Sequence, residues 1–469
     1  MCEGIAAELE GIDLGDKRLN QRSQLIIEAL GANPEASCNA VCDGWSDTLS
    51  AYRFFDNKSI QPEDILKPHV EATQRRINEH SVVLIAQDTT ELDYSDHPPA
   101  DARCLNTKDR FGLYDHTHLA VTPSGLSLGV VGVEYFDRQE EDLGKSKERS
   151  KLPIEKKESF RWLTGYRLAC EAARDCPETQ IVSVADREAD LYDIFREVEK
   201  QATEQAQSAH FIIRAKIKRS TPQRAPAAGP NAYQKVRDEV SHSELRATPI
   251  IDLPPTPKRA AREAKLEVRA MRVTVKPPHE RSSLPTVTYN VVLVEEVDGP
   301  GDGTDVSWLL ITSLPIDTLE EIQLAIDYYV ARWTIEVFFR VFKTGCKVEK
   351  IRLETLSRLK ICLAFYKIIA WRIMYLTYLN RECPALPCDV LFDDCEWKSV
   401  WRVVTRTELP QTPPTLSEFM SWLTQLGGYN NRKTERLPGP QPVWVGIRRM
   451  TGLATAWMTF GPGAEETYV

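Results

Sequence analysis

The sequence predicts a mixed α/β protein in which a sheet is accompanied by helices. Two short apolar runs, Ser81–Gln87 and Gln180–Ala185, have the length and composition of buried strands, and an aspartate directly follows each of them. Between them, Phe160–Cys176 has helical apolar spacing. Strands and helices that alternate in this way are typical of a sheet with helices packed against it.

The rest of the chain divides into segments with different patterns. A chain of 469 residues exceeds what one compact core usually contains, so several domains are expected. The beginning and the end have helical patterns, while the middle is rich in proline and short β-like runs. We therefore predict a helical N-terminal domain, an α/β core in two parts separated by a β-rich insertion, and a helical C-terminal region. In chain order these are residues 1–70, 71–219, 220–306, 307–380 and 381–469.

The composition is that of an ordinary globular protein, with 42% hydrophobic and 27% charged residues. Lys367 and Arg372 interrupt the longest apolar run, and no other run approaches the roughly 20 residues of a membrane span. The acidic N-terminus lacks the pattern of a signal peptide. We therefore expect a cytoplasmic protein without a membrane partner.

The eleven cysteines are expected to be reduced thiols, because the chain shows no export signal. Cys38 and Cys42 form one group, and Cys383, Cys388 and Cys395 form another. Neither group has a second pair at finger or ribbon spacing, so structural zinc is the weaker interpretation.

The charge distribution favours a nucleic-acid partner although the net charge is −9. Residues 210–282 contain sixteen Lys and Arg against seven Asp and Glu, and residues 332–360 contain eight against three. Local basic surface, rather than total charge, predicts binding to phosphates. A solvated charged face is the alternative for each stretch taken alone.

Two aspartates are predicted to meet at one edge of the sheet. Asp88 and Asp186 each follow a buried strand, and adjacent strand ends can place two carboxylates about 5 Å apart. Such a pair resists double ionisation unless divalent cations neutralise it. A turn-forming or capping role is the alternative for either aspartate alone.

A third acid lies in a predicted helix over residues 327–343. Intervals of three, four, four and three residues place five of its side chains on one face: Tyr329, Arg332, Glu336, Arg340 and Lys343. One acid among two arginines and a lysine suits a metal ligand that is flanked by phosphate-binding groups. Three carboxylates provide the oxygen ligands that Mg²⁺ or Mn²⁺ prefers. Two strand-end acids and a helical acid fit a ribonuclease-H-like core.

These motifs resemble those of the IS-four class of bacterial DDE transposases, and of its Tn-five type in particular. Tyr329-x-x-Arg332-x-x-x-Glu336, with Lys343 seven residues later, matches the YREK signature of that class. Further matches, in the same order along the chain, are Asp88-Thr-Thr, Asp186-Arg-Glu-Ala-Asp, Trp308-Leu-Leu-Ile-Thr-Ser and Lys343-Thr-Gly. The similarity extends with gaps from about residue 5 to 460.

The resemblance implies a helical N-terminal DNA-binding domain, a ribonuclease-H-like catalytic core and a C-terminal dimerisation region. It implies cut-and-paste transposition by 3′ nicking, hairpin formation, hairpin resolution and strand transfer. Two Mg²⁺ or Mn²⁺ ions, bound by Asp88, Asp186 and Glu336, would support this chemistry. The partners would be double-stranded DNA, as transposon ends and target, and a second copy of the chain in the synaptic complex.

The same resemblance assigns DNA contacts to further residues. Tyr329, Arg332 and Lys343 correspond to contacts with terminal phosphates. Position 340 is an arginine, whereas members of the class usually have a lysine near this position. Trp308 resembles an aromatic residue that stacks on a flipped base, with a buried strand-end tryptophan as the alternative. Arg214 and Lys216 match basic positions that approach the DNA in that class. The alternative for both is a solvated strand end.

Two other functions remain open on the sequence. A domesticated or defective copy would bind DNA without cutting it, and a stand-alone metal-dependent nuclease would lack the ability to handle specific ends. The complete set of three acids favours an active transposase over the first. The basic face of the predicted helix favours it over the second.

Overall fold

The protein is described by a computed structural model that covers residues 4–35, 45–138, 152–204, 207–430, 432 and 437–462, apart from 217, 226, 228, 230, 231, 254 and 256–258. The helices, in chain order, are α1 Lys17–Ala32, α2 Trp45–Phe55, α3 Pro62–Asn78, α4 Phe160–Asp175, α5 Tyr192–Thr203, α6 Val236–Ser241, α7 Leu319–Ala331, α8 Thr334–Arg340, α9 Leu356–Glu382, α10 Asp394–Thr405, α11 Leu416–Leu426 and α12 Pro440–Phe460. The strands are β1 Val82–Asp93, β2 Arg103–Cys104, β3 Phe111–Val121, β4 Ser127–Phe136, β5 Gln180–Ala185, β6 His210–Arg214, β7 Ser220–Arg224, β8 Tyr233–Lys235, β9 Leu245–Ala247, β10 Ile250–Leu253, β11 Arg262–Val275, β12 Val287–Glu296 and β13 Ser307–Thr312.

An eleven-stranded sheet forms the centre of the molecule, and the predicted mixed α/β class is confirmed. Its main order is β10-β11-β12-β13-β6-β5-β1-β3-β2, while β4 pairs with β3 and β9 pairs with β11. β1, β5 and β6 run parallel to one another, whereas β3 is antiparallel to both β1 and β4. Three antiparallel strands therefore continue into two parallel ones, in the order β4-β3-β1-β5-β6.

β1 is longer than the sequence predicts. We expected it to end immediately before Asp88, but it continues to Asp93 because β3 pairs with it over almost its whole length. The parallel ladder to β5 stops at Ala86, opposite Val184. Asp88 thus lies beyond the β1–β5 ladder yet within the β1–β3 ladder, where it pairs with Thr117. The prediction that Asp88 follows a strand was wrong, because the apolar run marks only the doubly paired part of β1.

The proline-rich segment 220–306 leaves the sheet after β6 and returns to the same sheet. Its two longest strands, β11 and β12, form an antiparallel pair, and β12 pairs with β13. β13 in turn pairs with β6, so the strands that flank this segment are hydrogen-bonded neighbours. The β-rich character predicted for the segment is confirmed, and the segment extends the sheet.

The predicted continuous helix over residues 327–343 is divided into three parts. α7 ends at Ala331, α8 begins at Thr334, and a π-helical turn occupies Val341–Gly345. Arg332 and Trp333 between the helices retain right-handed helical dihedrals, with ψ values of −32° and −18°. The N–H groups of Arg332 and Trp333 donate to carbonyls three residues earlier, so the α-helical hydrogen bonding is interrupted there, and the prediction of one continuous helix was wrong.

α9 is the buried helix around which the terminal helices pack. It contacts α1, α2 and α3 from the N-terminal part and α11 and α12 from the C-terminal part. Buried residues lie on all sides of this helix, which explains why its sequence lacks an amphipathic pattern. In the described part of the chain, no helix is both long enough and apolar enough to cross a membrane.

One lysine within α9 is fully buried and paired. Lys367 Nζ lies 2.6 Å from Asp115 Oδ2 and donates to Thr117 Oγ1 at 2.6 Å. Thr117 Oγ1 donates to Asp115 Oδ1 at 2.7 Å, and the Phe342 ring centroid lies 4.1 Å from the ammonium. Burial lowers the pKa of Lys367, and the negative charge of Asp115 opposes that shift. This pair connects β3 to α9, and the ring of Phe342 after α8 packs against it.

We expect Lys367→Met to lower the free energy of unfolding by about 3–5 kcal/mol, because it leaves the Asp115 carboxylate buried without a counter-charge. The double variant Lys367→Met/Asp115→Asn removes both charges and should recover at least half of that loss. Urea unfolding of the wild type and the two variants measures the difference. A double variant no more stable than the single one would contradict this account of the pair.

Candidate active site

Asp88 and Asp186 occupy equivalent positions on neighbouring strands. The parallel register pairs Ala86 with Val184, and each aspartate lies two residues further along its chain. Asp186 is the first residue after β5, where its Oδ1 accepts the Glu188 N–H at 2.8 Å. These positions place both carboxyl groups at one edge of the sheet, and the charge of Asp186 raises the pKa of Asp88.

Glu336 reaches this edge from α8, and Arg332 connects it to Asp88. Arg332 Nη1 lies 3.0 Å from Asp88 Oδ2, and Nη2 lies 2.8 Å from Glu336 Oε1. The guanidinium is largely buried and therefore little screened by water. Residues 244 positions apart in the chain are thus joined by one side chain.

Asp88 is the most perturbed of these acids. Burial raises its pKa to about 6, Arg332 and the Thr89 N–H oppose the rise, and the charges of Asp186 and Glu336 add to it. Its side chain is 21% exposed, so a ligand can still reach it. A carboxyl group with these surroundings favours any additional positive charge nearby.

The positions of the possible ligand side chains decide whether a metal site is already formed in this structure. Within the described ranges, no three His, Cys, Asp or Glu side chains are grouped as a site that could contain a metal ion. At the acidic edge, the Arg332 guanidinium occupies the space between Asp88 and Glu336. Cys383, Cys388 and Cys395 form no disulfide, whereas Cys38 and Cys42 lie outside the described residues.

Tyr329, Trp308 and Arg214 form a second group at the end of β13. The ring of Tyr329 is buried and meets the half-buried ring of Trp308 edge to face, with centroids 5.5 Å apart. Arg214 Nη2 donates to the Ser307 carbonyl at 2.9 Å, and burial lowers the pKa of Arg214. The side chain of Lys216, two residues after β6, is exposed.

Lys343 and Arg340 differ in their surroundings. Lys343 Nζ donates to the Glu91 carbonyl at 2.7 Å and lies 3.1 Å from Glu349 Oε1. The Arg340 side chain is exposed, and the contacts of the described residues include none for its guanidinium. Of the five positions predicted to share a face, Arg332 and Glu336 meet directly, while Tyr329 is buried against Trp308.

Two residues that the sequence did not single out contact the neighbours of the two aspartates. Arg161 on α4 is buried and contacts both Thr89 and Glu188, the residues that hydrogen-bond to the two aspartates. His116 Nδ1 lies 2.8 Å from Thr89 Oγ1. Neither Arg161 nor His116 lies in a spacing pattern with the acids, so only the folded structure shows that they are neighbours.

The raised pKa of Asp88 predicts how stability changes with pH when divalent cations are absent. The folded protein binds this proton more tightly than the unfolded chain, so the stabilisation is present at low pH and is lost as the pH rises through about 6. At neutral pH, Asp88→Asn should therefore be more stable than the wild type by on the order of 2–3 kcal/mol.

Urea unfolding in EDTA at a series of pH values measures this difference. The advantage of Asp88→Asn should shrink as the pH falls through 6 and disappear near the ordinary carboxyl value of 3.8. Asp252→Asn, at an exposed position in β10, should change stability by less than about 0.5 kcal/mol. A destabilised Asp88→Asn at neutral pH would show that the pairing with Arg332 outweighs burial.

Comparison with known proteins identifies both ends of the chain. A family model described as transposase DNA-binding matches residues 1–60, and one described as the transposase Tn5 dimerisation domain matches residues 368–457. Among solved structures, the chain is similar to the piggyBac transposase in a synaptic complex with hairpin DNA, at 9% identity. That match covers 99% of this chain and 73% of the other with a TM-score of 0.35, too low to establish a shared fold. The two domain matches, one at each end of the chain, support a Tn5-like transposase.

Proposed function

We propose that this transposase cuts and joins DNA by metal-dependent phosphoryl transfer, with Asp88, Asp186 and Glu336 as its catalytic acids. The observation that supports it best is the convergence of Asp88 and Glu336 on one buried guanidinium, beside Asp186 on the neighbouring strand. Acids from distant parts of the chain are brought together here despite their mutual repulsion. Such an arrangement is more typical of a functional site than of a structural one.

The donor chemistry of this edge fits Mg²⁺ or Mn²⁺. Two carboxylates, those of Asp88 and Glu336, contact one guanidinium, and Asp186 follows the neighbouring strand, so this edge carries an excess of negative charge when all three acids are ionised. Asp88, Asp186 and Glu336 would bind the ions, and oxygen ligands suit these cations better than zinc. When bound, two such ions activate the attacking hydroxyl and stabilise the leaving oxygen of a phosphodiester.

The strand order supports a ribonuclease-H-like core as part of this proposal. Three antiparallel strands, β4, β3 and β1, are followed by the parallel strands β5 and β6. The acids then lie on the two central strands and on a helix packed against β1. In this proposal the domain limits remain those predicted above, with the DNA-binding and dimerisation domains at the two ends.

The remaining predicted residues are proposed to contact DNA. Arg340 and Lys216 are exposed cations that could bind phosphates directly, whereas Lys343 would first leave Glu349. Trp308 is half-buried against Tyr329, so one face is available for stacking on a base. The last three proposed contacts are Arg332, which contacts Asp88 and Glu336, Tyr329, which is buried, and Arg214, which interacts with Tyr329.

The proposed reaction is cut-and-paste transposition of an insertion sequence. It proceeds by 3′ nicking, hairpin formation, hairpin resolution and strand transfer into target DNA, within a homodimer that joins two transposon ends. We place it in the bacterial cytoplasm at the nucleoid. The alternative is a defective copy that binds DNA without cutting it, which is favoured by the position of Arg332 between two of the acids.

We expect Glu336→Gln to abolish cleavage of transposon-end DNA while end binding stays within about twofold of the wild type. The amide preserves size and can still accept a hydrogen bond from Arg332, but it is a poor ligand for a divalent cation. Cleavage with Mg²⁺ or Mn²⁺ and a gel-shift assay with the same DNA measure the two quantities. Equal loss of both would count against a metal-binding role, and a wild type that never cleaves its own ends would favour the defective copy.

We expect Arg340→Ala to weaken end binding at low salt and to reduce the slope of log affinity against log salt by about 1. Its guanidinium is exposed, so folding stability should not change. Arg174→Ala is the matched control, because Arg174 is exposed in the last turn of α4, whereas the first turn of that helix contacts the residues beside the acids. The same salt slope for Arg340→Ala and wild type would exclude a phosphate contact at this position.

A further inference from the structure

Each strand-borne aspartate is oriented by a backbone N–H that follows it in the chain. The Thr89 N–H donates to Asp88 Oδ1 at 2.8 Å, and the Glu188 N–H donates to Asp186 Oδ1 at 2.8 Å. Each bond leaves the other carboxylate oxygen free of the same constraint. The directions of the two carboxylates therefore depend on where Thr89 and Glu188 lie.

The side chains of these same two residues meet on one arginine. Arg161 Nε donates to Thr89 Oγ1 at 3.0 Å, and Arg161 Nη2 donates to Glu188 Oε2 at 2.6 Å. The third nitrogen, Nη1, donates to the Glu158 carbonyl at 2.7 Å, just before α4 begins. One guanidinium thus connects the middle of β1 and the turn after β5 to the start of a helix.

The surroundings restrict this guanidinium to a single position. Arg161 is 6% exposed, and its central carbon lies 4.9 Å from the ring centroid of Phe136 and 5.4 Å from that of Trp162. Thr89 has a second fixed partner in His116. The guanidinium is buried, although the side chain of its partner Glu188 is 63% exposed, and charge-assisted hydrogen bonds order the groups that they join before any ligand arrives.

We propose that Arg161 is a positioning residue that sets the separation and orientation of Asp88 and Asp186. It contacts neither carboxylate and acts through Thr89 and Glu188. This inference rests on the proposed function, because it concerns the same acids. It also explains why the residue is an arginine. A planar guanidinium donates hydrogen bonds from three separate nitrogens, whereas a lysine ammonium has one nitrogen and a compact charge.

The test replaces Arg161 with lysine, which preserves the charge and removes the fork. We expect the dissociation constant for end DNA to stay within about twofold of the wild type. Single-turnover nicking should fall by about 10- to 100-fold, as for other residues that orient ligand side chains. The Mn²⁺ concentration at half-maximal rate should rise by at least about 10-fold, as should the dissociation constant for Mn²⁺ measured by electron paramagnetic resonance without DNA.

The matched control is Arg138→Lys. Arg138 also forms a bidentate ion pair, with the Glu158 carboxylate at 2.8 and 2.7 Å, and its other hydrogen bonds go to Asn106 and Tyr114 rather than to Thr89, Glu188 or either aspartate. This control should nick DNA and bind Mn²⁺ like the wild type. If Arg161→Lys behaves in the same way as Arg138→Lys, Arg161 does not position the acids and the inference is wrong.

A second pair of variants decides the question if Arg161→Lys fails to fold. Thr89→Val retains shape and strand preference but removes the hydroxyl that Arg161 binds, while Thr89→Ser retains the hydroxyl. We expect Thr89→Val to lose nicking and Mn²⁺ affinity by about 10-fold and Thr89→Ser to restore both. Wild-type behaviour of Thr89→Val would overturn the inference. Asp88→Asn in the same assays separates the two claims, since its full activity would overturn the proposed function instead.

Discussion

The interaction on which the site depends is the pairing of Arg332 with Asp88 and Glu336. Carboxylates that approach one another in a partly buried place repel, and burial adds a cost for each charge. The structure offsets this with one largely buried guanidinium, at 3.0 and 2.8 Å from the two acids, and with backbone N–H donors to Asp88 and Asp186. That compensation is incomplete, since the pKa of Asp88 is still raised to about 6. The acids are therefore not fully neutralised, and this edge favours additional positive charge, as the proposed cation-dependent reaction requires.

The sheet can support that edge because a second polar layer lies behind it. Lys367 and Asp115 form a fully buried pair beneath β3, and the rings that surround Lys367 belong to α8 and the turn after it. A buried pair of this kind contributes little net stability, but loss of one partner is costly, so it fixes the relative positions of the elements it joins. Strand β1, with Asp88, is hydrogen-bonded to β3, and Glu336 lies on α8. The pair therefore connects the scaffolds of two acids.

The sequence predicts those parts of the site that follow from local periodicity. Asp186 follows its apolar strand as expected, and α4 lies within the predicted range Phe160–Cys176. The extent of β1 was missed because pairing with β3, which is remote in sequence, decides where β1 ends. The break after Ala331 was missed because the residues there keep helical dihedrals, and only a change to hydrogen bonds between residues three apart separates α7 from α8.

Arg161 marks a deeper limit of the sequence. Nothing in its neighbourhood distinguishes it from an ordinary basic residue near the start of an amphipathic helix. Its significance arises from three partners, at Thr89, Glu158 and Glu188, which are brought together by the β1–β5 pairing and by the packing of α4. Local patterns identify groups that ligate or react, since these need particular residue types. The groups that orient them can be contributed by any element that packs nearby, so they become visible only in the fold.

Arg332 neutralises part of the charge of the acids and is also a proposed DNA contact. In the proposed reaction this guanidinium contacts DNA, yet in the protein alone both of its terminal nitrogens are engaged by acids. A guanidinium cannot make the same hydrogen bonds to carboxylates and to a phosphate at once, because its donors have fixed directions. Divalent cations at the acids would remove the need for Arg332 as their counter-charge, and a DNA phosphate would then offer it a new partner. Cation binding and end binding should accordingly favour each other, as linkage requires whenever two ligands compete with the same internal contact.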